Sequence, residues 1–497
     1  MTDIITRRWL LKLMGGGTVG VVAGRPAGAQ PRGPLDRYIV GIEPGRADVA
    51  RDAADEVYRV LDFGPVGQAV SGWFPEEALE GLRNNPNVRY VEAEGEVEAI
   101  GHATDEDGGD PSEEQVLPWG IDRVDADVAH HEDETGGGAS VSIIDTGIDQ
   151  EHETLDENVV GGRNFVDCPD GDADCADEWG DDNGHGTHCA GTANALDNGV
   201  GVVGTSVEAD LYAVKVLDED GSGTWSDVAA GIEWTADEEI DVGSLSLGGG
   251  DSSVVRDACE YAYGSGTLLV AAAGNDGPRP GSVGYPAAYE ECIAVSATDE
   301  NDDVASFSSR GEEVELAAPG VNVLSSLPGD GYDRYDGTSM ACPHVSGAGA
   351  QLMGEDYTHE GARDRLNATA EDVGLDDTEQ GNGLVDVAAA IGIENDGGEE
   401  TSAPAIDRFE LTDASNPRWA RVEVDWAVSD DALETVESVL ELDGDEVDSE
   451  TSSVSGDGAE GEHELRERDG RGETYDVTLT VTDADGNSTS ETDRIEL

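Results

Sequence analysis

Three short segments, far apart along the chain, place the strongest constraint on how it can fold. They read IDTGI (144–148), GHGTHCAG (184–191) and GTSMACP (337–343). Their Asp145, His185 and Ser339 are separated by 40 and 154 residues. Asp, His and Ser in this order is one of three unrelated chain orders that build the same catalytic geometry. The fold must therefore bring three distant segments together at one place.

Each of these residues has a local setting suited to nucleophilic catalysis. Asp145 ends an apolar strand, where open α/β sheets place their sites, and it can accept the Nδ1–H of His185. His185 follows a glycine and can act first as general base and then as general acid. Ser339 stands at a predicted helix start, where the helix dipole favours a developing negative charge. Taken alone, His185 and His188 would also suit zinc, but without an evident third ligand we interpret His188 as a core residue.

In combination, the three motifs resemble the subtilase family of serine endopeptidases over roughly residues 111–393, and most of all the halolysins, the secreted subtilases of halophiles. The resemblance implies an α/β fold: a subtilisin-like three-layer domain with a parallel sheet, preceded by a small α+β ferredoxin-like propeptide and followed by an all-β sandwich. Apolar runs that suit strands buried on both faces support the parallel sheet. They are 141–145, 211–216, 243–247, 268–273 and 292–297.

The same resemblance assigns further site residues. Asn275 would supply the side-chain donor of the oxyanion hole, with the backbone N–H of Ser339 as the second donor. Substrate would add a β-strand along 244–249, because main-chain pairing accepts any extended peptide. The substrate-binding residues implied are Ser246, Leu247, Gly248, Ala273, Gly274 and Gly284. Small residues around the S1 pocket predict broad specificity with large apolar side chains at P1, and Asp276 at the rim could also accept basic ones.

A structural calcium site is a further implication of the resemblance. The segment LDNGVGV (196–202) looks like the family's calcium loop. The implied ligands, all oxygens as a hard cation requires, are the carbonyls of Leu196, Val200 and Val202 and the side chains of Asn198 and Gln115. Thr154 stands where the family usually has an Asp, so either Asp156 substitutes or the site is weak. The acidic loop 167–174 is a second candidate, with a solvated loop as the alternative interpretation.

The N-terminal segment has the pattern of an export signal. Arg7 and Arg8 precede a weakly apolar stretch, 13–23, and a small-residue cleavage site at 27–29, which together are typical of a twin-arginine signal peptide over 1–29. The apolar stretch is too short to cross a bilayer. We therefore expect a secreted protein with no membrane span.

Residues 30–104 resemble the inhibitory propeptide of subtilases. We predict strands at 37–42 and 88–92 and helices at 49–61 and 75–82, the second opened by a proline. By resemblance, this unit occupies the active site of its own chain and is cut off by the enzyme, and we place the cut between Ile100 and Pro111. The catalytic domain would then span 111–393.

A polar linker, 394–404, separates this region from a different pattern. Apolar and polar residues alternate over 422–428 and 475–481, which predicts a small antiparallel β-sandwich over 405–497. It resembles the C-terminal extensions of halolysins and, more loosely, PKD-like modules. Stabilisation of the protease and binding of large substrates are both open as its role.

The charge balance bears on environment and partners. The chain has 111 Asp and Glu against 27 Lys and Arg, a net charge of -84, with the acids spread among apolar runs. Such charge destabilises a compact state unless it is screened, and at about 1 M salt the Debye length falls to about 3 Å. We therefore predict a protein that needs high salt, with a need for divalent cations alone as the alternative. The same charge argues against nucleic acid as a partner.

The six cysteines divide by their surroundings. Cys168 and Cys175 share one acidic loop and could close a small disulfide ring after export. Cys189 and Cys342 lie inside the catalytic motifs among small apolar residues. We interpret both as buried packing thiols, because Ser339 already serves as the nucleophile.

Together these patterns predict an exported, salt-dependent serine endopeptidase made as a self-processed zymogen. We expect it to act as a monomer on proteins and peptides, with its own propeptide as inhibitor and calcium as a structural ion. The alternative from another class is a non-catalytic scaffold that kept the fold. The presence of Asp145, His185, Asn275 and Ser339 favours the enzyme, since a scaffold would be free to lose them.

Overall fold

The computed structural model describes residues 33, 36–104, 115–132, 134–166, 168, 174–176, 179–393, 404–416, 418–429, 433–442, 445–454, 458–468, 472–483 and 488–497. The chain forms two compact units, residues 1–393 and 394–497. The predicted signal peptide lies outside the described residues, as do most of the acidic loop 167–174 and most of the linker 394–404.

The first described elements form a small antiparallel sheet with two helices. They are β1 (Tyr38–Ile42), α1 (Asp48–Arg51), β2 (Glu56–Asp62), β3 (Gln68–Trp73), α2 (Glu76–Arg83) and β4 (Val88–Ala93). The strand order β2-β3-β1-β4 is that of the ferredoxin-like unit predicted from the sequence. The helix predicted over 49–61 is wrong, because only Asp48–Arg51 is helical and Glu56–Asp62 pairs with β3. Cross-strand pairing of Val57 and Val60 overrides the apolar spacing that suggested a helix.

The remaining elements of the first unit follow in chain order. They are β5 (Glu96–Ala99), β6 (His102–Ala103), α3 (Trp119–Arg123), α4 (Ala126–His131), β7 (Ser140–Asp145), β8 (Val159–Asn164), α5 (His185–Asn194), β9 (Asp210–Lys215), β10 (Ser222–Thr224), α6 (Trp225–Asp237), β11 (Val242–Leu245), β12 (Leu247–Gly249), α7 (Ser253–Ser265), β13 (Leu268–Ala272), β14 (Cys292–Thr298), β15 (Val314–Pro319), β16 (Val323–Leu327), β17 (Gly331–Asp336), α8 (Thr338–Gly354), α9 (His359–Thr369), α10 (Asp377–Gln380) and α11 (Val387–Ile391).

A seven-stranded parallel sheet, in the order β15-β14-β13-β11-β7-β9-β8, is the centre of this unit. The five apolar runs predicted as strands all lie in it. Successive side chains point to opposite faces: Ile143 belongs to the core with α5 and α8, and Ile144 to the core with α6 and α7. Both faces are covered by helices, which confirms the predicted α/β three-layer fold.

The topology places the chemistry-bearing segments at one edge of this sheet. Asp145 is the last residue of β7, and Asn275 follows β13 after two residues. His185 opens α5, and Ser339 is the second residue of α8. The carboxyl ends of parallel strands share one edge, so these four residues gather there.

The second unit contains only strands among its described residues. They are β18 (Ala405–Asp413), β19 (Trp419–Ser429), β20 (Leu433–Leu442), β21 (Asp445–Ser453), β22 (Gly458–Arg468), β23 (Thr474–Asp483) and β24 (Ser488–Glu496). Two antiparallel sheets, β18-β19-β22 and β21-β20-β23-β24, enclose a core that includes Val424, Trp426 and Tyr475. The alternating pattern of the sequence therefore predicted the β-sandwich correctly.

The described residues also bear on the cysteines and on helices that could cross a membrane. Within the described ranges, no helix is long and apolar enough to cross a membrane. Cys168 and Cys175 are joined by a disulfide. Cys189 and Cys342 are free and fully buried, in agreement with their interpretation as packing thiols.

Candidate active site

Asp145 and His185 form a buried hydrogen-bonded pair. His185 Nδ1 lies 2.8 Å from Asp145 Oδ1, and the exposed fractions are 3% for His185 and 0% for Asp145. The backbone N–H of Thr146 donates to the same carboxylate oxygen at 2.7 Å, which fixes its orientation. Burial lowers the pKa of His185, but the neighbouring Asp145 carboxylate outweighs burial, and the pKa lies well above its ordinary value.

Two glycines allow α5 to begin where it does. Gly184 precedes the helix with a φ of 109°, a left-handed conformation that favours glycine. A Cβ at Gly186 would lie 2.2 Å from the carbonyl oxygen of Gly147. The first turn of α5 can therefore pack directly on the turn that follows Asp145.

Asp181 joins these two segments, although no motif in the sequence pointed to it. Its Oδ2 accepts hydrogen bonds from Thr187 N at 2.9 Å and Thr187 Oγ1 at 2.6 Å. Its Oδ1 accepts from Thr146 Oγ1 at 2.9 Å and from Gly184 N at 2.9 Å. One carboxylate thus connects the turn after Asp145 with the start of the His185 helix.

Lys215 donates a hydrogen bond to the same turn, the one that follows Asp145. It ends β9, directly beside Asp145 in the parallel register, and is 3% exposed. Its Nζ donates to the carbonyl oxygens of Thr146 at 2.6 Å and Leu217 at 3.0 Å, and to Asp182 Oδ1 at 2.7 Å. The one signal in the sequence was its rarity, since Lys12 and Lys215 are the only lysines.

Ser339 contacts a carbonyl group from a distant part of its own chain. Its Oγ lies 2.8 Å from the carbonyl oxygen of Ile100 and 2.9 Å from that of Ser246. Ser246 Oγ in turn donates to the carbonyl oxygen of Ser339 at 2.9 Å. The hydroxyl group of Ser339 is therefore held between the predicted substrate-binding segment and Ile100.

Asn275 faces the same carbonyl group from the other side. Its Nδ2 donates to the carbonyl oxygen of Ile100 at 2.9 Å. Its Oδ1 accepts from the backbone N–H and the hydroxyl group of Thr338, each at 3.0 Å. These two bonds fix the amide so that its N–H group points at the carbonyl oxygen that Ser339 also contacts.

The chain around Ile100 lies in the cleft as an extended strand. β5 pairs antiparallel with β12, in the register Leu247↔Ala99, Gly248↔Glu98 and Gly249↔Val97, and with β10 on its other side. After Ile100, the chain continues into β6, which pairs with β17. The strand edge predicted to bind substrate is therefore occupied by residues of this chain.

One of the small residues predicted to bind substrate, Gly248, lies beside the side chain of Ile100. A Cβ on Gly248 would lie 3.5 Å from both Cδ1 and Cγ2 of Ile100. The backbone N–H of Gly284 donates to the carbonyl oxygen of Ala273 at 2.9 Å, and that of Gly274 to Thr338 Oγ1 at 3.0 Å. The predicted pocket residues thus meet beside Asn275 and Thr338.

The second nitrogen of the His185 ring faces the residue after Ile100. Nε2 is buried and has no hydrogen-bond partner among the described residues. A Cβ at Gly101 would lie 3.1 Å from it. In a cleavage after Ile100, this nitrogen would be next to the departing amino group.

His188 has a structural setting. Its Nε2 lies 3.0 Å from the carbonyl oxygen of Val323, and its ring stacks on Tyr335 with centroids 4.4 Å apart. Burial, followed by the charge of His185, lowers its pKa to about 3. Its role as a neutral core residue is therefore consistent with its contacts.

The predicted calcium loop is closed by hydrogen bonds of Gln115. Its Nε2 donates to the carbonyl oxygens of Leu196 at 2.7 Å and Val202 at 3.3 Å. The Oδ1 of Asn198 accepts from the backbone N–H of Val200 at 3.2 Å. The oxygens of Leu196 and Val202 do converge, but the group between them is an N–H donor.

The position that differs from the family pattern brings no carboxylate to this loop. Thr154 is fully buried, and its hydroxyl lies 2.9 Å from His152 Nδ1 and 2.8 Å from Ser326 Oγ. Asp156, the alternative donor, is exposed. The donor set at the loop is therefore composed of neutral groups.

Comparison with known proteins gives one consistent result. Residues 136–383 match the model of the Subtilase family. Subtilisin amylosacchariticus from Bacillus subtilis subsp. amylosacchariticus is 41% identical over 367 residues, which cover 71% of this chain and 90% of the relative. The thermostable alkaline protease of Halalkalibacterium halodurans is 38% identical over 390 residues, 77% of this chain and 99% of the relative. Subtilisin DY from Bacillus licheniformis is 44% identical over 281 residues, which cover 56% of this chain and 99% of the relative.

Proposed function

The chain belongs to the subtilase family and is a serine endopeptidase, and on this premise we propose that Asp145, His185 and Ser339 form its catalytic triad. Asn275 Nδ2 and the backbone N–H of Ser339 form the oxyanion hole. The observation that carries the proposal is the carbonyl group of Ile100, which lies 2.8 Å from Ser339 Oγ and 2.9 Å from Asn275 Nδ2.

The proposed reaction requires the hydroxyl of Ser339 to turn its proton from the carbonyl oxygens of Ile100 and Ser246 to His185 Nε2, which has no hydrogen-bond partner among the described residues. Ser339 Oγ attacks the scissile carbonyl carbon and His185 Nε2 takes its proton, while Asp145 holds Nδ1–H and stabilises the imidazolium. Asn275 Nδ2 donates to the oxygen as it becomes negative. His185 then returns the proton to the leaving amine, and the acyl-enzyme is released by water that His185 deprotonates.

The chain is a zymogen whose own first cut falls between Ile100 and Gly101. β5 pairs with β12 as a substrate strand would, and Ile100 occupies the position of the residue before the scissile bond. Ile100 also fits the apolar specificity predicted for the S1 pocket. The proposed propeptide thus ends at Ile100, at the start of the interval 100–111 and four residues before the predicted boundary at 104.

Buried ion pairs hold the proposed propeptide on the catalytic domain. Arg59 Nη2 lies 3.0 Å from Asp227 Oδ1, and the two side chains are 5% and 6% exposed respectively. Glu94 accepts from Ser226 N at 3.2 Å and Ser226 Oγ at 2.7 Å, at the start of α6, where the helix dipole favours a carboxylate. Buried pairs are screened far less by salt than exposed ones, so they suit an inhibitor that must bind at high ionic strength.

Salt dependence follows from the net charge of -84. At low ionic strength the carboxylates repel each other and destabilise the folded state. We expect the melting temperature to rise steeply between about 0.1 M and 3 M KCl, since the Debye length falls from about 10 Å to below 3 Å. Equal melting temperatures at both concentrations would contradict the proposal, and recovery by millimolar calcium alone would favour the divalent-cation alternative.

Export by the twin-arginine route and a halolysin-type extension complete the proposal. Arg7 and Arg8 precede the apolar stretch, and a route that exports folded proteins suits an enzyme that folds with its inhibitor in place. The β-sandwich lies in a separate compact unit, for which stabilisation of the protease and binding of large substrates both stay open as its role. Removal of residues 394–497 would separate them: unchanged hydrolysis of large insoluble proteins would exclude substrate binding.

Calcium at the loop 196–202 would be held by the carbonyl oxygens of Leu196, Val200 and Val202 together with Asn198 and Gln115. Binding requires the amide oxygen of Gln115, in place of its Nε2, to face the carbonyls of Leu196 and Val202. Because every donor in this set is neutral, we expect low affinity. Bound calcium would cross-link the loop and resist its local unfolding.

The experiment that tests the proposed function compares the wild type with Ser339→Ala at about 3 M salt, where charge repulsion is screened. We expect the wild type to cleave casein and a peptide amide with an apolar P1 residue, and to acquire an N-terminus at Gly101. The variant should keep its full length and be inactive. If both proteins are folded and equally inactive, the assignment of the triad is wrong; an N-terminus elsewhere in 101–111 would reject only the cut after Ile100.

A further inference from the structure

Two free cysteines outside the proposed active site meet in the core beneath α7. Cys259 lies in the middle of that helix and Cys292 is the first residue of β14. Their sulfur atoms are 4.0 Å apart, with the thiol of Cys292 directed at Cys259. Both are free, and 0% and 2% exposed respectively. Neither thiol takes part in the proposed mechanism.

The surroundings of the pair are suited to a covalent bond. Both sulfur atoms belong to the apolar core between the sheet, α6 and α7, and no other residue separates them. A disulfide needs a sulfur–sulfur distance of about 2.05 Å, so the two sulfur atoms would have to approach by about 2 Å from their separation of 4.0 Å. The two residues are 33 positions apart in sequence, and closing a loop of this length restricts the unfolded chain substantially.

We propose that Cys259 and Cys292 become joined by a disulfide under oxidising conditions, which ties α7 to β14. The oxidant is a small-molecule disulfide. One cysteine thiolate attacks a sulfur of the oxidant and releases one thiol; the second cysteine then attacks the mixed disulfide and releases the other. The protein loses two protons and two electrons, and the oxidant is reduced to two thiols.

The reaction requires a state in which α7 is not packed on the sheet, which after export of the folded chain is a local opening of α7. In the folded protein, the hydrogen bond with Cys292 and then burial raise the pKa of the Cys259 thiol, so little thiolate is present and no oxidant can reach it. During folding or local opening of α7, both thiols are accessible. The bond should therefore form in refolding mixtures and only slowly in the native protein.

The helix that the bond would secure is also held by the N-terminal unit. Glu92 accepts from Ser253 N and Val254 N, both at 3.1 Å, at the start of α7. Asp257 accepts from Arg89 Nη2 and from the hydroxyl of Tyr90, both at 2.9 Å. If this unit is removed as the proposed function requires, α7 loses these contacts. The disulfide would then keep α7 on the sheet in the mature enzyme.

The test uses the Ser339→Ala chain, which cannot digest itself if the proposed function is right. The protein is refolded at high salt in a mixture of reduced and oxidised glutathione, denatured, alkylated and examined by peptide mass spectrometry. We expect Cys259 and Cys292 in one linked peptide, with two alkylated cysteines per chain where dithiothreitol-treated protein has six. Complete alkylation of both Cys259 and Cys292 after refolding with excess oxidised glutathione would overturn the proposal.

A second measurement gives the effect on stability. In a Cys168→Ser/Cys175→Ser background, which removes the other disulfide, oxidised protein should melt about 5 to 15 °C above reduced protein. Cys259→Ser in the same background should abolish this difference, and an identical melting temperature for linked and reduced protein would reject the stabilising role. The disulfide is detected by mass spectrometry and not by enzyme activity. If the disulfide does not form, the proposed peptidase function is therefore unaffected.

Discussion

The carbonyl oxygen of Ile100 lies 2.8 Å from Oγ of Ser339, although the two residues are 239 positions apart in the chain. The contact is possible because β5 lies between β10 and β12 and so carries Ile100 into the cleft. Under the proposed function, this arrangement is a complex of the enzyme with its own first substrate.

Replacing Gly101 by Val should slow self-cleavage. A Cβ at this position would lie 3.0 Å from Met340 Sδ and 3.1 Å from His185 Nε2, so a branched side chain would displace the imidazole from the leaving nitrogen. Since misplacement by about 1 Å can reduce a rate about 10²-fold, we expect at least about a tenfold slower appearance of the mature N-terminus. Gly81→Ala is the matched control, because nothing lies within 4 Å of its Cβ position. Equal rates for the three proteins would contradict the proposed geometry.

Removal of the Asn275 amide should reduce turnover more than substrate binding. In mature enzyme, Asn275→Leu should lower kcat by about 10² to 10³, the range for such a donor in a subtilisin, with a small change in KM. The reason is that Nδ2 stabilises the oxygen mainly after it has become negative. The control variant Asn382→Leu replaces an exposed asparagine and should leave kcat unchanged. A loss confined to KM would show that Asn275 binds the ground state instead.

The pH dependence should follow the His185 pKa, which the Asp145 charge raises despite burial. His185 must be neutral to accept a proton, so kcat/KM should increase as pH rises through this pKa. The acid limb should therefore lie above about 6.5, the ordinary pKa of histidine. Asp145→Asn removes the negative charge, so the limb should move to lower pH while kcat falls by about 10⁴. If the acid limb of the pH profile stays at the same pH in Asp145→Asn, a group other than His185 controls that limb.

Lys215 should support both stability and turnover. Lys215→Met leaves the carbonyl oxygens of Thr146 and Leu217 without their buried donor, which should lower the free energy of unfolding by about 1 to 3 kcal/mol. The turn after Asp145 would loosen, so kcat should fall even at temperatures where the variant is fully folded. Arg494→Met, which removes an exposed ion pair with Asp476, should leave the free energy of unfolding nearly unchanged, because solvent and salt screen such a pair. Wild-type kcat in folded Lys215→Met would exclude a role in positioning Asp145.

Calcium affinity should respond to the charge at position 115. Gln115→Glu adds a carboxylate beside the carbonyl oxygens of Leu196 and Val202, so it should raise calcium affinity by at least about tenfold. Titration calorimetry of the Ser339→Ala chain measures this, with Gln115→Leu expected to abolish binding. EDTA should lower the melting temperature of the Gln115→Glu variant more than that of the parent. If all three proteins bind calcium equally, the ion lies elsewhere.

Local patterns predicted some parts of this structure and missed others for identifiable reasons. Apolar runs such as 141–145 predicted the parallel strands, because burial on both faces leaves little choice of residue. The helix predicted over 49–61 failed, because pairing of Glu56–Asp62 with β3 outweighs local apolar spacing. Asp181 and Lys215 were not predicted as site residues, because their importance comes from partners that lie far away in sequence.

The sequence by itself determined the fold class, the family and the kinds of side chain available for catalysis. Short motifs and the periodicity of apolar residues are enough to predict these properties. Only the tertiary structure decided which bond of the chain lies between Ser339 and His185, and which thiols meet beneath α7. Such contacts join segments that are distant in sequence, and their distances depend on how strands and helices pack. Local patterns restrict the residues at each position, whereas packing alone fixes the distances between them.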